Sequence, residues 1–454
     1  MTRPKEDWRD YPDQQLPDED AVYHQQGWTA LFTQEDWWAN WLGAGFVLVA
    51  LFGWVTSVPG IGRWTTNPFE AIPLETIPGL IGLLIGLGLV TGLAVATTGE
   101  SVKRYWVAFP ALFLLTTLAY VLGRQETLSG WGVDQVIWGL VVGLVVSNTI
   151  GTPQWLRPAL KSELFIKTGL VLLGATVLFN RILVLGSYGL AVAWIVTPIV
   201  LYFMYLLGTR YLRISSRELV TVVAATTSVC GVSAAIATGA AVRAKREEIS
   251  FAISVSLIFT ALMIVGMPIL AGVLGLNEFV AGAWIGGTVD ATGAVVASAS
   301  ILGESATEVA AIIKMIQNVL IGFLAFIIAI IWVTKFEAQE TGRQPSALEI
   351  WYRFPKFILG FVGASLLFSF VFIPGLGQDA TDGILSVANG FRNWLFALTF
   401  TAIGLQSNFV EMARLVRGGS PVVLYVVGQT FNVLLTLLVA WIMFSGTFFP
   451  LPSV

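Results

Sequence analysis

From Trp41 almost to the C-terminus, mostly apolar runs recur between short polar breaks, near 41–58, 77–97, 105–122, 135–149, 164–180, 188–207, 219–242, 249–276, 279–302, 309–334, 354–373, 385–405 and 421–446. These thirteen runs have lengths on the order of the ~20 residues that a helix needs to cross a bilayer. No water reaches the hydrocarbon to complete backbone hydrogen bonds, so a spanning segment must satisfy them within a helix or a closed barrel. The runs lack the apolar/polar alternation of barrel strands, and helices follow. The expected fold is an all-α polytopic membrane protein. We divide it into an acidic cytoplasmic or interfacial arm at 1–40, two transmembrane helices at 41–104, the main helical body at 105–446 and a short tail at 447–454. Composition agrees: 12% of the 454 residues are charged and 56% hydrophobic, where soluble domains carry about a quarter charged residues.

The same inventory removes several function classes. A net charge of −3 with scattered basic residues leaves no nucleic-acid surface. Cys230 and His24 are the single cysteine and histidine, too few for a disulfide framework or a usual metal centre, so neither a metal nor a cofactor is expected. The first forty residues lack the basic and apolar regions of a signal peptide, and Trp37, Trp38 and Trp41 suit the headgroup zone. No GxxxxGK[ST] sequence supports a primary pump. The scarcity of His, Cys and clustered carboxylates speaks against a membrane enzyme.

Two runs differ from the others. Residues 219–242 (LVTVVAATTSVCGVSAAIATGAAV) and 279–302 (FVAGAWIGGTVDATGAVVASASIL) are crowded with Gly, Ala, Ser and Thr. Such composition suits either tightly packed interior helices or helices that break inside the protein. Basic loops decide between the two, because Lys and Arg in short loops mark the cytoplasmic side. Lys103 and Arg104, Arg157 and Lys161, Arg210, Arg213 and Arg217, then Lys335, Arg343, Arg353 and Lys356, and finally Arg414 and Arg417 share one side if the N-terminus is cytoplasmic. The Arg243, Lys245, Arg246 loop joins them only if 219–242 and 279–302 dip in and return. Eleven crossings plus two re-entrant or broken segments, with the C-terminus outside, is therefore the favoured topology. An internal echo, KTGLVLLGATVLF (167–179) against ALTFTAIGLQSNF (397–409) with Gly174 and Gly404 in register, points to an inverted repeat.

Three stretches carry a resemblance: GLVVSNTIGTPQWLRPALKSELFIKTGLVLLGATVLF (143–179), TTSVCGVSAAIATGAAVRAKREEISFAI (226–253) and WIGGTVDATGAVVASASILGESATEVAAIIKMIQNVL (284–320). Over about 105–446 the chain resembles the YeiH-type sulfate exporter family of bacterial inner-membrane proteins. The resemblance implies an inverted-repeat helical fold and substrate translocation by alternating access. The chain departs from the family pattern at Asp290-Ala291, where His-Glu is usual after GxTV, and at Gln317, where a basic residue often stands. Both departures question sulfate as the particular anion.

An ionisable residue within a span costs a few kcal/mol on insertion scales and is usually paired or functional. Asp290 and Lys314 are the main cases. Asp290, flanked by Thr288 and Thr292 in a glycine-rich setting, is the candidate for proton or sodium coupling; alternatively, an Asp290–Lys314 pair only locks two helices. Lys314 shares a helical face with Gln317 and Asn318. The Thr226–Ser233 segment offers hydroxyls, backbone N–H groups near Gly231 and one thiol, and half-helix N-termini hold oxyanions. The candidate substrate-binding set is Thr226, Thr227, Ser228, Cys230, Gly231, Ser233, Lys314, Gln317, Asn318 and Asn148. The bland alternatives are hydroxyls bonded to their own helix and Cys230 as a packing residue. Asn148, Gln406, Asn408, Gln429 and Asn432 would likewise be interhelical hydrogen-bonders, and Lys167 and Arg392 snorkelling cations. The reading is a secondary transporter of a small anion, with a cation–proton antiporter using Asp290 or a passive anion channel as rivals. Its expected surroundings are the lipid bilayer of a bacterial inner membrane, with the oligomeric state open.

Overall fold

The architecture is taken from a computed structural model that describes residues 29–127, 135–177, 179–335, 355–408 and 419–451. Most of the arm, Arg343, Arg353, Arg414, Arg417 and the last three tail residues lie outside the described residues. No strand occurs among the described residues, apart from an isolated bridge between Trp64 and Gln125. Every predicted run is helical. In chain order the helices are α1 (Glu35–Leu51), α2 (Ile77–Thr97), α3 (Val102–Gly123), α4 (Gln135–Thr149), α5 (Ser162–Thr176), α6 (Phe179–Leu206), α7 (Arg217–Ser228), α8 (Gly231–Val242), α9 (Arg246–Val273), α10 (Glu278–Thr288), α11 (Thr292–Ser300), α12 (Glu304–Lys335), α13 (Phe357–Leu367), α14 (Gln378–Gln406) and α15 (Ser420–Phe444). A π-turn, Phe368–Phe372, extends α13 to Leu376. Among the described residues, seven helical stretches are long and apolar enough to cross a membrane: Pro68–Thr97, Val102–Gly123, Ile182–Tyr211, Phe251–Val273, Glu304–Trp332, Phe357–Leu376 and Ser420–Phe444. The other rods are shorter (α1, α4, α5) or, like α14, carry Asp379, Asp382 and Arg392.

The two small-residue runs both break. α7 and α8 are separated by Val229 and Cys230, and α10 and α11 by Val289, Asp290 and Ala291. Each pair also folds back on itself. A Cβ built on Gly239 of α8 would lie 3.9 Å from Val222 of α7, whereas a continuous rod would hold those residues about 25 Å apart. At the base of the second pair, a Cβ on Gly303 would meet the Glu278 carboxylate at 2.9 Å. These are two helical hairpins, each folded back on itself at its break. The hairpins point toward each other. α15 runs parallel to α7, with Leu424 packed near Val220 and Asn432 reaching the Thr227 carbonyl, and antiparallel to α10, with Gln429 on Thr288 and the Val433 carbonyl on Trp284.

The helices form two bundles. In the first, α1, α3, α4, α5, α13 and α14 pack together with α2 outside. Here Gly143 and Gly404 let α4 and α14 touch backbone to backbone: a Cβ on Gly404 would clash with the Leu140 carbonyl. Trp394 fills the centre between Phe113 and Tyr120, at centroid separations of 5.0 and 4.5 Å. The second bundle comprises α6 to α12 and α15 and carries both hairpins. The bundles meet mainly where α11 touches α4, α5 and α14, with a further contact between α13 and α6.

The internal echo falls on α5 and α14, which pack against each other. Ser162 donates to Gln406, and Gly169 lies on Phe396, so the two helices run antiparallel as an inverted repeat requires. Lys167 does not snorkel. Its amine binds Asp36 at 2.8 Å and Glu163 at 3.5 Å, while Asp36 also accepts the backbone N–H of Lys356 at 2.8 Å. These bonds tie the added helix α1 to the core helices α5 and α13.

Candidate functional site

The first helix of each hairpin is capped at its start by a side chain. Ser216 accepts from the Leu219 N–H at 3.0 Å, opening α7, and Asn277 accepts from Val280 at 2.8 Å, opening α10. α8 and α11, which start at the hairpin tips, have Cys230 and Ala291 at the cap position and receive no side-chain cap. Their first-turn N–H groups carry the positive end of the dipole; Gly231, Thr292 and Gly293 there are buried, while Val232 and Ser233 are exposed. The Gly231 N–H is used differently: it donates to the Asp290 carbonyl at 2.7 Å and joins the two tips.

The C-terminal carbonyls of α7 and α10 end in the same place, where other helices satisfy them. From α12, Lys314 Nζ donates to the Val229 carbonyl at 2.5 Å and to Gln317 Oε1 at 2.8 Å. Gln317 Nε2 bridges the two hairpins, reaching Ser228 O at 3.0 Å and Gly287 O at 3.2 Å. Thr197 of α6 donates to Ser228 O at 3.1 Å. From α15, Asn432 donates to Thr227 O and Gln429 to Thr288 O, each at 3.1 Å. Buried carbonyls without partners would cost about 1–3 kcal/mol each, so these side chains are what allows two helix breaks inside the protein.

Asp290 is fully enclosed. Its Oδ2 accepts from Ser256 of α9 at 3.0 Å and from the Tyr425 hydroxyl of α15. No ion pair joins it to Lys314, whose amine is bound by the Val229 carbonyl and Gln317. The helix-locking alternative is thereby replaced: acid and amine share a site, but each is held by neutral partners. Asn318 donates to Thr292 Oγ1 at 3.0 Å. Buried and without a hydrogen-bond partner in the same region are Thr288 Oγ1, Asn318 Oδ1 and Gln429 Oε1.

The candidate set divides accordingly. Gly231, Lys314, Gln317, Asn318, Thr288, Asp290 and Thr292 converge on the tips. The hydroxyls of Thr226, Thr227 and Ser228 turn back to Val222, Val223 and Ala225 at 2.7, 2.9 and 3.5 Å, because an i−4 or i−3 carbonyl is the nearest acceptor on their own helix. The backbone carbonyls of Thr227 and Ser228 take part instead. Ser233 is exposed and Cys230 buried, both in the first turn region of α8. Asn148 belongs to the other bundle, where it donates to Leu144, Ser147 and Ser407 at 2.9, 3.0 and 2.9 Å beside the end of α14. Sequence reasoning missed Ser256 and Tyr425 as partners of Asp290, since a lone Ser and a lone Tyr on apolar helices are no signal until tertiary packing selects them.

A family model described as conserved hypothetical protein 698 matches residues 108–424. A UPF0324 membrane protein of Rhodopirellula baltica is 46% identical over 389 residues, covering 85% of this chain and 72% of the relative. One from Nitratidesulfovibrio vulgaris is 47% identical over 382 residues, covering 83% of this chain and 66% of its own length, so this chain spans just under two thirds of that relative. A third, from Nitrosomonas europaea, is 27% identical over 474 residues and covers 91% and 96% of the two chains. No solved structure matches.

Proposed function

This chain belongs to the UPF0324 membrane protein family, the family to which the YeiH-type resemblance pointed, and we propose that it is a secondary active transporter exporting or exchanging a small anion, sulfate or sulfonate-like. The observation that carries this reading is the Gly231–Asp290 contact at 2.7 Å, which brings two opposed hairpins tip to tip. Two opposed hairpins that meet on one site suit alternating access, since motion of the hairpin-bearing bundle against the other would expose that site to either side in turn. The narrow joint through α11 favours such motion.

The anion's place is among the uncapped N–H groups of α8 and α11 beside Lys314, where dipoles and one fixed charge compensate it. Coupling belongs to Asp290: a carboxylate held only by neutral donors gains most from a proton or a sodium ion. The orphan oxygens of Thr288, Asn318 and Gln429 favour the second reading, a cation–proton antiporter. By the positive-inside rule the basic loops lie in the cytoplasm of a bacterial inner membrane, with the N-terminus inside and the C-terminus outside.

Purified protein in liposomes tests the reading. Labelled sulfate, methanesulfonate or acetate should accumulate against its gradient when a proton or sodium gradient is imposed. Flux that runs only downhill would make the protein a passive channel, and gradient-driven cation exchange with no anion flux would establish the antiporter.

A further inference from the structure

Lys167, Lys314 and Arg392 lie well inside their helices, and the structure separates them. Lys167 is paired with Asp36 and Glu163, and Lys314 is bound by Val229 and Gln317. Arg392 on α14 is different: its Nε and Nη1 are buried without any hydrogen-bond partner, and the residue keeps partial exposure. A guanidinium has no neutral form to retreat to in a protein, so leaving its donors unmet in a low-dielectric interior is costly.

The direction Arg392 faces is set by its helix. Arg392, Phe396, Thr399 and Ile403 follow each other at intervals of four, three and four, which places them on one face. That face meets the second hairpin, since a Cβ on Gly293 at the start of α11 would lie 3.2 Å from Ile403 and 3.7 Å from Thr399. Arg392 therefore lies in the joint between the bundles, roughly 10–16 Å further along α14 toward the base of that hairpin. Glu304, at that base, is the carboxylate whose field reaches it, and no ion pair joins them. One turn earlier on α14, Asn389 has an amide oxygen that is also buried and unpartnered.

We propose that Arg392 is the oxyanion-recognising cation of the joint between the bundles, the group an anion meets on its way to or from the hairpin tips. It rests on the reading of this joint as an anion route. Sulfate, sulfonates and carboxylates present oxygens that a planar guanidinium binds in directed hydrogen bonds, which a spherical halide cannot match. Two of the three Lys314 N–H donors are already taken, by the Val229 carbonyl and Gln317, whereas two Arg392 nitrogens have no partner to give up before an incoming ligand.

Phenylglyoxal labelling of the detergent-purified protein, read by peptide mass spectrometry, tests this without altering the chain. Sulfate or methanesulfonate should slow modification of Arg392 several-fold relative to chloride at equal ionic strength, leaving exposed Arg104 unaffected. In liposomes, Arg392→Gln should raise the half-saturation for the transported anion about tenfold or more, with Arg392→Lys between it and the native chain. Equal labelling in sulfate, methanesulfonate, acetate and chloride overturns the proposal, as do native half-saturations in both variants. Protection in a protein that moves no anion upholds the site and defeats the transport reading instead.

Discussion

The two hairpins share a shape and differ in charge. The tip of the first carries no carboxylate, and its last carbonyls are met by Lys314, Gln317, Asn432 and Thr197. The tip of the second carries Asp290, whose oxygen is met by Ser256 and Tyr425. One break is thus closed by a cation borrowed from α12, while the other brings its own acid. A pair of breaks with opposite electrostatic demands can receive an anion and a cation at one crossing, which is what coupled transport needs.

Removing the acid is the sharpest way to break the comparison. Asp290→Asn should abolish gradient-driven uptake in liposomes while the purified protein stays monodisperse; uptake that still follows the gradient would strip the second hairpin of its coupling role. Lys314→Ala strikes the first hairpin and should weaken anion binding tenfold or more. It should also destabilise the fold by about 1–3 kcal/mol, because the Val229 carbonyl is left buried and unmet. Lost stability with an unchanged half-saturation would reduce Lys314 to a cap. The glycines at the two uncapped starts give a finer contrast. At Gly231 an added Cβ would lie 2.6 Å from Ser256 Oγ, forcing that hydroxyl off Asp290, whereas at Gly293 it meets the tip of Ile403 at 3.2 Å. Gly231→Ala should cost about 1–3 kcal/mol and impair coupling, and Gly293→Ala clearly less; equal effects in thermal unfolding would erase the distinction.

The smallest effect lies outside both hairpins and serves as their control. Burial at the start of α13 lowers the Lys356 amine to about 8, with Asp36 acting in the opposite sense. The unfolded chain then binds the extra proton more readily, so stability should rise as pH climbs from about 8 through the ordinary lysine value and level off above it. Lys356→Met should flatten that part of the profile in detergent unfolding without altering anion half-saturation.

Asn318 and Gln317 were legible at i+4 and i+3 from Lys314 because helical periodicity alone puts them on one face. The role of Gln317 as a bridge between hairpins was not, because its acceptors, Ser228 and Gly287, lie 89 and 30 residues away in the chain. Thr226 and Thr227 illustrate the converse. A threonine in a small-residue run reads equally as ligand or as self-bonded, and only the rotamer decides.

What sequence determined by itself is the helical character of the apolar runs and which two of them, crowded with small residues, were candidates to break. These follow from local rules: lipid forbids unsatisfied backbone, and glycine and threonine weaken a helix. Tertiary structure alone decided that the hairpin tips touch, that Asp290 is held by Ser256 and Tyr425 and not by Lys314, and that Arg392 keeps donors unmet. Those outcomes depend on which distant helix supplies the nearest donor or acceptor, and a side chain's partner across a bundle leaves no periodic trace in the chain.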